Sequence, residues 1–113
     1  MATTCSSAGC KYRVPDLLAA EGLCVLHFTL SLEQTCNDLR RQTALGQVSR
    51  ERIEEIHQFL QQRGELLARV STAGLGLSDE MKARILATFL TLINLRENLD
   101  RVTARLATSK IRP

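Results

Sequence analysis

The sequence predicts an all-α fold, with a short irregular N-terminal module leading into a three-helix bundle. Three observations carry this. The chain is rich in Leu, Ala, Arg and Glu, residues that favour helix. From residue 23 onward its apolar residues recur at spacings of three and four, the period of a helix face. Glycine- and serine-bearing stretches cut the periodic part into three pieces. At 113 residues this is one domain able to bury a modest core, and with no Trp and few aromatics that core is aliphatic.

The first helix is expected from about Leu23 to Thr43. Its apolar stripe is Val25, Phe28, Leu32, Cys36 and Leu39, and Leu23, Leu26 and Leu30 make a second one. "TALGQVS", with Gly46 and Ser49, ends it and caps the next. The second helix runs from about Arg50 to Thr72, with Ile53, Ile56, Leu60, Leu67 and Val70 on one face. "STAGLGLS" then leads into a third helix from about Asp79 to Thr108. Its seam is Ile85, Phe89, Leu92, Leu95, Leu99, Val102 and Leu106, widened by Leu86, Leu90 and Ile93. Acids follow both serines, at Glu51 and at Asp79 and Glu80, where the helix dipole favours them. A short connection between helices of about 35 and 45 Å favours a long antiparallel hairpin. The third helix is apolar over more than one stripe needs. Either the first helix covers the excess or a second copy of the chain does, as a homodimer.

The first 28 residues are different. Cys5, Cys10, Cys24 and His27 are spaced Cys-x4-Cys, thirteen residues, Cys-x2-His. Two close pairs separated by a loop are what a chain needs to wrap one tetrahedral zinc ion. Gly9 precedes Cys10 where a turn must fold back, and Gly22 precedes Leu23 and Cys24 where the chain enters a helix. Cys24 and His27 would lie in the first helical turn, on one face. Four protein ligands close the coordination shell, so a structural ion is expected rather than a catalytic one with an open position. Three thiolates and a dication give the site a charge of −1, beside Lys11 and Arg13, and the chain moves from +3 to +2.

"CSSAGC…EGLCVLHF" resembles the small zinc module written C-x4-C…G-[LY]-C-x2-H-[YF], which occurs in bacterial and phage proteins, often beside HNH nuclease domains, and is similar to a treble clef. The resemblance covers residues 5–28 and implies Cys5, Cys10, Cys24 and His27 as ligands. After Phe28 there is no nuclease core, only helices, so no nuclease activity is carried over.

Cys36 lies nine residues past His27, about 13 Å along a continuous helix, too far to join the site, and it falls on the apolar stripe. Glu54-x-x-His57 has the spacing used in di-iron carboxylate bundles, for which Glu33 and Glu97 are the candidate further carboxylates. With a single such motif, the simpler reading is a solvated helix face. Lys11, Arg13, Arg40 and Arg41 are candidate phosphate or partner contacts. Arg101, Arg105, Lys110 and Arg112 form a second cationic group that also suits a helix C-terminus. Tyr12 is the only ring expected at the surface, so stacking platforms for single strands are missing.

No apolar run approaches the length of a membrane span, and "MATTCSSAGC" has no basic head before a greasy stretch. A cytoplasmic location is the expectation, and there four cysteines favour metal over disulfides. No nucleophile–base pair or phosphate-cradling loop appears. The sequence therefore points to a non-enzymatic, zinc-containing binding or adaptor protein acting through its helices. The alternative is a nucleic-acid-binding regulator that uses the module and its flanking arginines.

Overall fold

The computed structural model describes residues 4–45 and 48–111, with side chains up to Arg105. Three helices form: α1 (Val25–Ala44), α2 (Arg50–Thr72) and α3 (Asp79–Ile111). Ser49 Oγ accepts from the Arg52 N–H at 3.1 Å, and Ser78 Oγ accepts from the Met81 N–H at 3.1 Å. Each hydroxyl satisfies an amide that the first helical turn leaves without a partner. Gly46 and Arg112, together with the side chains of Leu106 and Lys110, lie outside the described residues.

Short connections reverse the chain twice. His57 on α2 meets Asp100 on α3, so these two helices are antiparallel. Val25 and Leu26 of α1 line one groove with Met81 and Arg84 of α3, so those two helices begin at the same end of the molecule. The most extensive packing is α1 on α3 and α2 on α3, making α3 the spine of an elongated body 60 × 24 × 19 Å. No described helix is long and apolar enough to cross a membrane.

The core follows the predicted stripes. Phe28, Leu32, Cys36 and Leu39 of α1 are buried, as are Ile53, Ile56, Leu60, Leu67 and Val70 of α2 and Ile85, Leu92, Leu95 and Leu99 of α3. Three threonines not expected in the core, Thr29, Thr43 and Thr88, are buried with them. Each hydroxyl donates to the carbonyl four residues back, on Val25, Leu39 and Arg84, so no polar atom is stranded. Two expectations change. Val25 of the first stripe, and Phe89 and Val102 of the α3 seam, are only half-buried. Leu86, Leu90 and Ile93 remain 61%, 54% and 50% exposed, so α1 does not cover the extra apolar face of α3.

Candidate metal centre

Residues 4–24 build the site without a regular strand. A single antiparallel bridge joins Thr4 to Arg13, and the Cys5 N–H donates to the Tyr12 carbonyl at 2.9 Å. Between them the chain turns sharply. The Cys10 N–H donates back to the Ser7 carbonyl at 3.1 Å, and Gly9 holds φ +78°, a conformation that side-chain-bearing residues resist. The chain then makes a short 3-10 turn at Asp16–Leu18 and drives Leu18 into the core, fully buried. Gly22, at φ +67°, turns it again, and its carbonyl accepts from the Ser6 N–H at 2.9 Å. This bond ties the first knuckle to the second.

Gly22 is thus a hinge of the site. A methyl group there would meet only Ser6 Oγ, at an ordinary 3.7 Å, so crowding is not the penalty. The left-handed backbone is, at about 1–2 kcal/mol for a non-glycine residue. Gly22→Ala should lower the melting temperature by several degrees in a thermal scan and leave helix content unchanged.

The helix begins two residues later than expected, at Val25 and not Leu23. Cys24 is not in the first turn of α1 but is its N-cap, with extended backbone, and its Sγ accepts from the His27 N–H at 3.5 Å. The reason is that sulfur, like a cap oxygen, takes an amide hydrogen bond that the helix start leaves open. The two-residue spacing still brings the ring to the thiol, with Cys24 Sγ 3.2 Å from His27 Nδ1.

The four predicted ligands converge. Cys5 Sγ lies 3.4 Å from His27 Nδ1, Cys10 Sγ lies 3.8 Å from Cys24 Sγ, and all four ligand atoms fall within 4.8 Å of one another. None of these cysteines is in a disulfide. A tetrahedral ion with metal–sulfur bonds of about 2.3 Å and metal–nitrogen bonds of about 2.05 Å sets its ligand atoms about 3.5–3.8 Å apart. The separations of 3.2, 3.4 and 3.8 Å lie close to that frame, and the wider ones, up to 4.8 Å, would close by small side-chain movements around an ion. Cys5 and Cys24 are buried, Cys10 and His27 half-buried, so an ion here would be shielded on most sides. Among the described residues this is the one group of Cys, His and acidic side chains close enough to hold a metal.

Charge is distributed unevenly over the metal-free thiols. Burial raises the pKa of Cys5, but hydrogen bonds from the Cys24 and Ser7 backbone and from the Cys24 and Cys10 thiols outweigh it and bring Cys5 down to about 6. Burial pushes Cys24 up to about 11 against the His27 backbone amide, which pulls it down, and the Cys5 and Cys10 side-chain hydrogen bonds and the Cys5 charge add to the rise. The pair thus carries one negative charge at neutral pH, and a bound cation would draw the remaining protons off. Protons and metal compete for the same atoms. Metal should therefore be retained at neutral pH and released as pH falls, which a zinc-indicator dye would follow.

The module is clamped to α2 by an ion pair that local sequence does not announce. Arg63 contacts Glu21, 42 residues earlier, and its guanidinium sits 5.5 Å from the centre of the Phe59 ring. Both side chains are largely covered, at 29% and 27% exposed. Arg63→Ala should cost on the order of 1 kcal/mol, measured by denaturant unfolding.

The other candidates separate. Lys11 and Arg13 are exposed on the module, whereas Arg40 and Arg41 are exposed near the far end of α1. Arg40 lies sixteen residues along the helix from Cys24, about 24 Å. The four cations therefore do not form one patch. Arg101 and Arg105 are exposed on the last described turns of α3. Glu54 and His57 line one cleft, but the carboxylate that reaches His57 is Asp100, at 3.6 Å, not Glu33 or Glu97. Glu33 is instead 3.9 Å from Arg84. The di-iron arrangement is not assembled. Cys36 is fully buried, and burial with the nearby Glu33 charge pushes its thiol up to about 11, so it is a protonated core residue at neutral pH.

Comparison of the chain with family models, curated proteins and solved structures yields no match.

Proposed function

We propose that this chain is a zinc-containing, non-enzymatic interaction protein, in which a structural ion fixes the N-terminal module and the helices present the contact surface. The observation that carries the reading is the closed ligand set of Cys5, Cys10, Cys24 and His27 within 4.8 Å. Three thiolates and an imidazole in a tetrahedral frame suit zinc above the harder cations. A fully ligated ion has no position for a hydrolytic water, which supports a structural role over a catalytic one. The ion would be held by those four residues and would supply cross-linking of two distant segments. The chain's own residues complete the work: Leu18 docks the module in the core and Arg63 holds its edge.

Elemental analysis of purified protein tests this, with one equivalent of zinc expected. Less than half an equivalent together with reactive thiols at positions 5, 10 and 24 defeats the reading. The nucleic-acid alternative needs cations gathered on one surface, and Lys11 and Arg13 stand apart from Arg40 and Arg41. Fluorescence anisotropy with labelled duplex and single strands at low salt should therefore stay flat; binding that weakens steeply with salt would favour the alternative.

A further inference from the structure

The exposed apolar face of α3 has a symmetry of its own. Leu86, Leu90 and Ile93 are spaced four and three apart, so they form one stripe, and they are among the most exposed large hydrophobic residues of the described chain. Charges continue this stripe at both ends. Asp79 and Lys82 precede it by one to two turns, and Glu97 and Arg101 follow it at four-residue intervals. All four are exposed. Among the described residues none of the four has an ion-pair partner in its own chain.

We propose that this face is the interface of an antiparallel homodimer, with its two-fold axis crossing α3 beside Leu90. Placing the axis there sets Leu86 against Ile93 of the second copy and Leu90 near its own equivalent. The same operation sets Lys82 beside Glu97 of the second copy and Asp79 beside Arg101. One axis position therefore matches both the apolar residues and the charges. An in-register parallel pair instead stacks Lys82 on Lys82 and Glu97 on Glu97, at the same height, where like charges repel. The stripe from Asp79 to Arg101 is about 33 Å long, enough to carry an interface along most of the helix. A two-fold contact is also self-limiting, because each copy uses the same patch and leaves no sticky face for a third. The charged ends give register and the three aliphatic residues give the adhesion, as in helical pairs whose flanking charges choose orientation.

This deepens the reading of the helices as the contact surface and names the partner as a second copy of the chain. It does not depend on which metal fills the N-terminal site. The test is sedimentation equilibrium of the zinc-loaded full chain, from low to several hundred micromolar. The wild type should show a monomer–dimer equilibrium and no higher species. Leu90→Glu should be monomeric throughout, with unchanged zinc content and circular dichroism, because Leu90 contributes little to its own protomer's core. Lys82→Glu and Glu97→Lys should each weaken dimerisation by roughly tenfold, since two-fold symmetry repeats each altered pair. The double variant Lys82→Glu/Glu97→Lys should recover it.

A wild-type chain that stays monomeric overturns the dimer but leaves the zinc module and a heterologous partner standing. A dimer indifferent to Leu90→Glu overturns the face. Failure of the double variant to recover overturns the antiparallel register.

Discussion

Cys24→Ser, or chelation of the wild-type protein, is expected to release the metal, free residues 4–22 from the bundle and lower thermal stability more than any single core substitution. The magnitude follows from the size of the terms. Structural zinc sites contribute apparent binding energies of about 10–16 kcal/mol at neutral pH. A folded domain of this kind is stable by only about 5–15 kcal/mol in total. The metal term is therefore comparable with the whole, and apart from Leu18 and the Arg63–Glu21 pair a module with one β-bridge and one short 3-10 turn has little else to hold it. Cys24 is also the cap of α1, and a serine hydroxyl can still accept the His27 amide, so Cys24→Ser removes the metal ligand and leaves the cap in place. Circular dichroism melting alongside metal analysis would show this, with most helix retained at low temperature because the buried faces of the three helices do not depend on the ion. Cys36→Ala is the control. It should weaken packing and leave one equivalent of metal in place, because its sulfur lies in the core, outside the ligand group. An unchanged melting temperature after verified metal removal contradicts the structural role.

Leu18→Ala is expected to cost about 3 kcal/mol, within the range for removing a fully buried leucine. Leu18 is 0% exposed although it sits in a three-residue turn of the module. Its side chain is therefore a plug from the module into the helices, and truncation leaves a cavity that the short turn cannot readily collapse to fill. Because the same turn leads to Gly22 and Cys24, loosening it should also weaken metal retention. The two effects can be measured together, by urea unfolding and by competition with a chromophoric chelator. A loss of stability well under 1 kcal/mol would mean that the module does not lean on the bundle through this residue.

The helices and the Cys5, Cys10, Cys24 and His27 cluster were legible in the sequence for a physical reason. A helix buries its apolar face at a fixed period, so Ile53, Ile56, Leu60, Leu67 and Val70 display their common side before any coordinates exist. Metal ligands are similarly constrained, because Cys5 with Cys10 and Cys24 with His27 must each supply two donors from a short turn. Less was legible at the margins. The sequence suggested that Leu86, Leu90 and Ile93 had more to bury than one helix face allows, but periodicity says nothing about which neighbour arrives. The candidate cations Arg40 and Arg41 share their charge with Lys11 and Arg13 but not their surface, because the length of α1 separates them. His57 pointed to carboxylates at Glu33 and Glu97, and found Asp100 instead, since α2 and α3 run antiparallel and their register selects the partner.

By itself, then, the sequence determined three helices, their inward faces and the four atoms that can hold an ion, because each of these depends on spacing within one segment. Only the tertiary structure decided that Cys24 caps α1 through its sulfur, that Leu18 is the plug between module and bundle, and that Arg63 reaches Glu21. Only it decided which apolar residues of α3 stay open to solvent. Those outcomes depend on the direction and offset of helices packed side by side, and no pattern within a single helix encodes where its neighbour will lie.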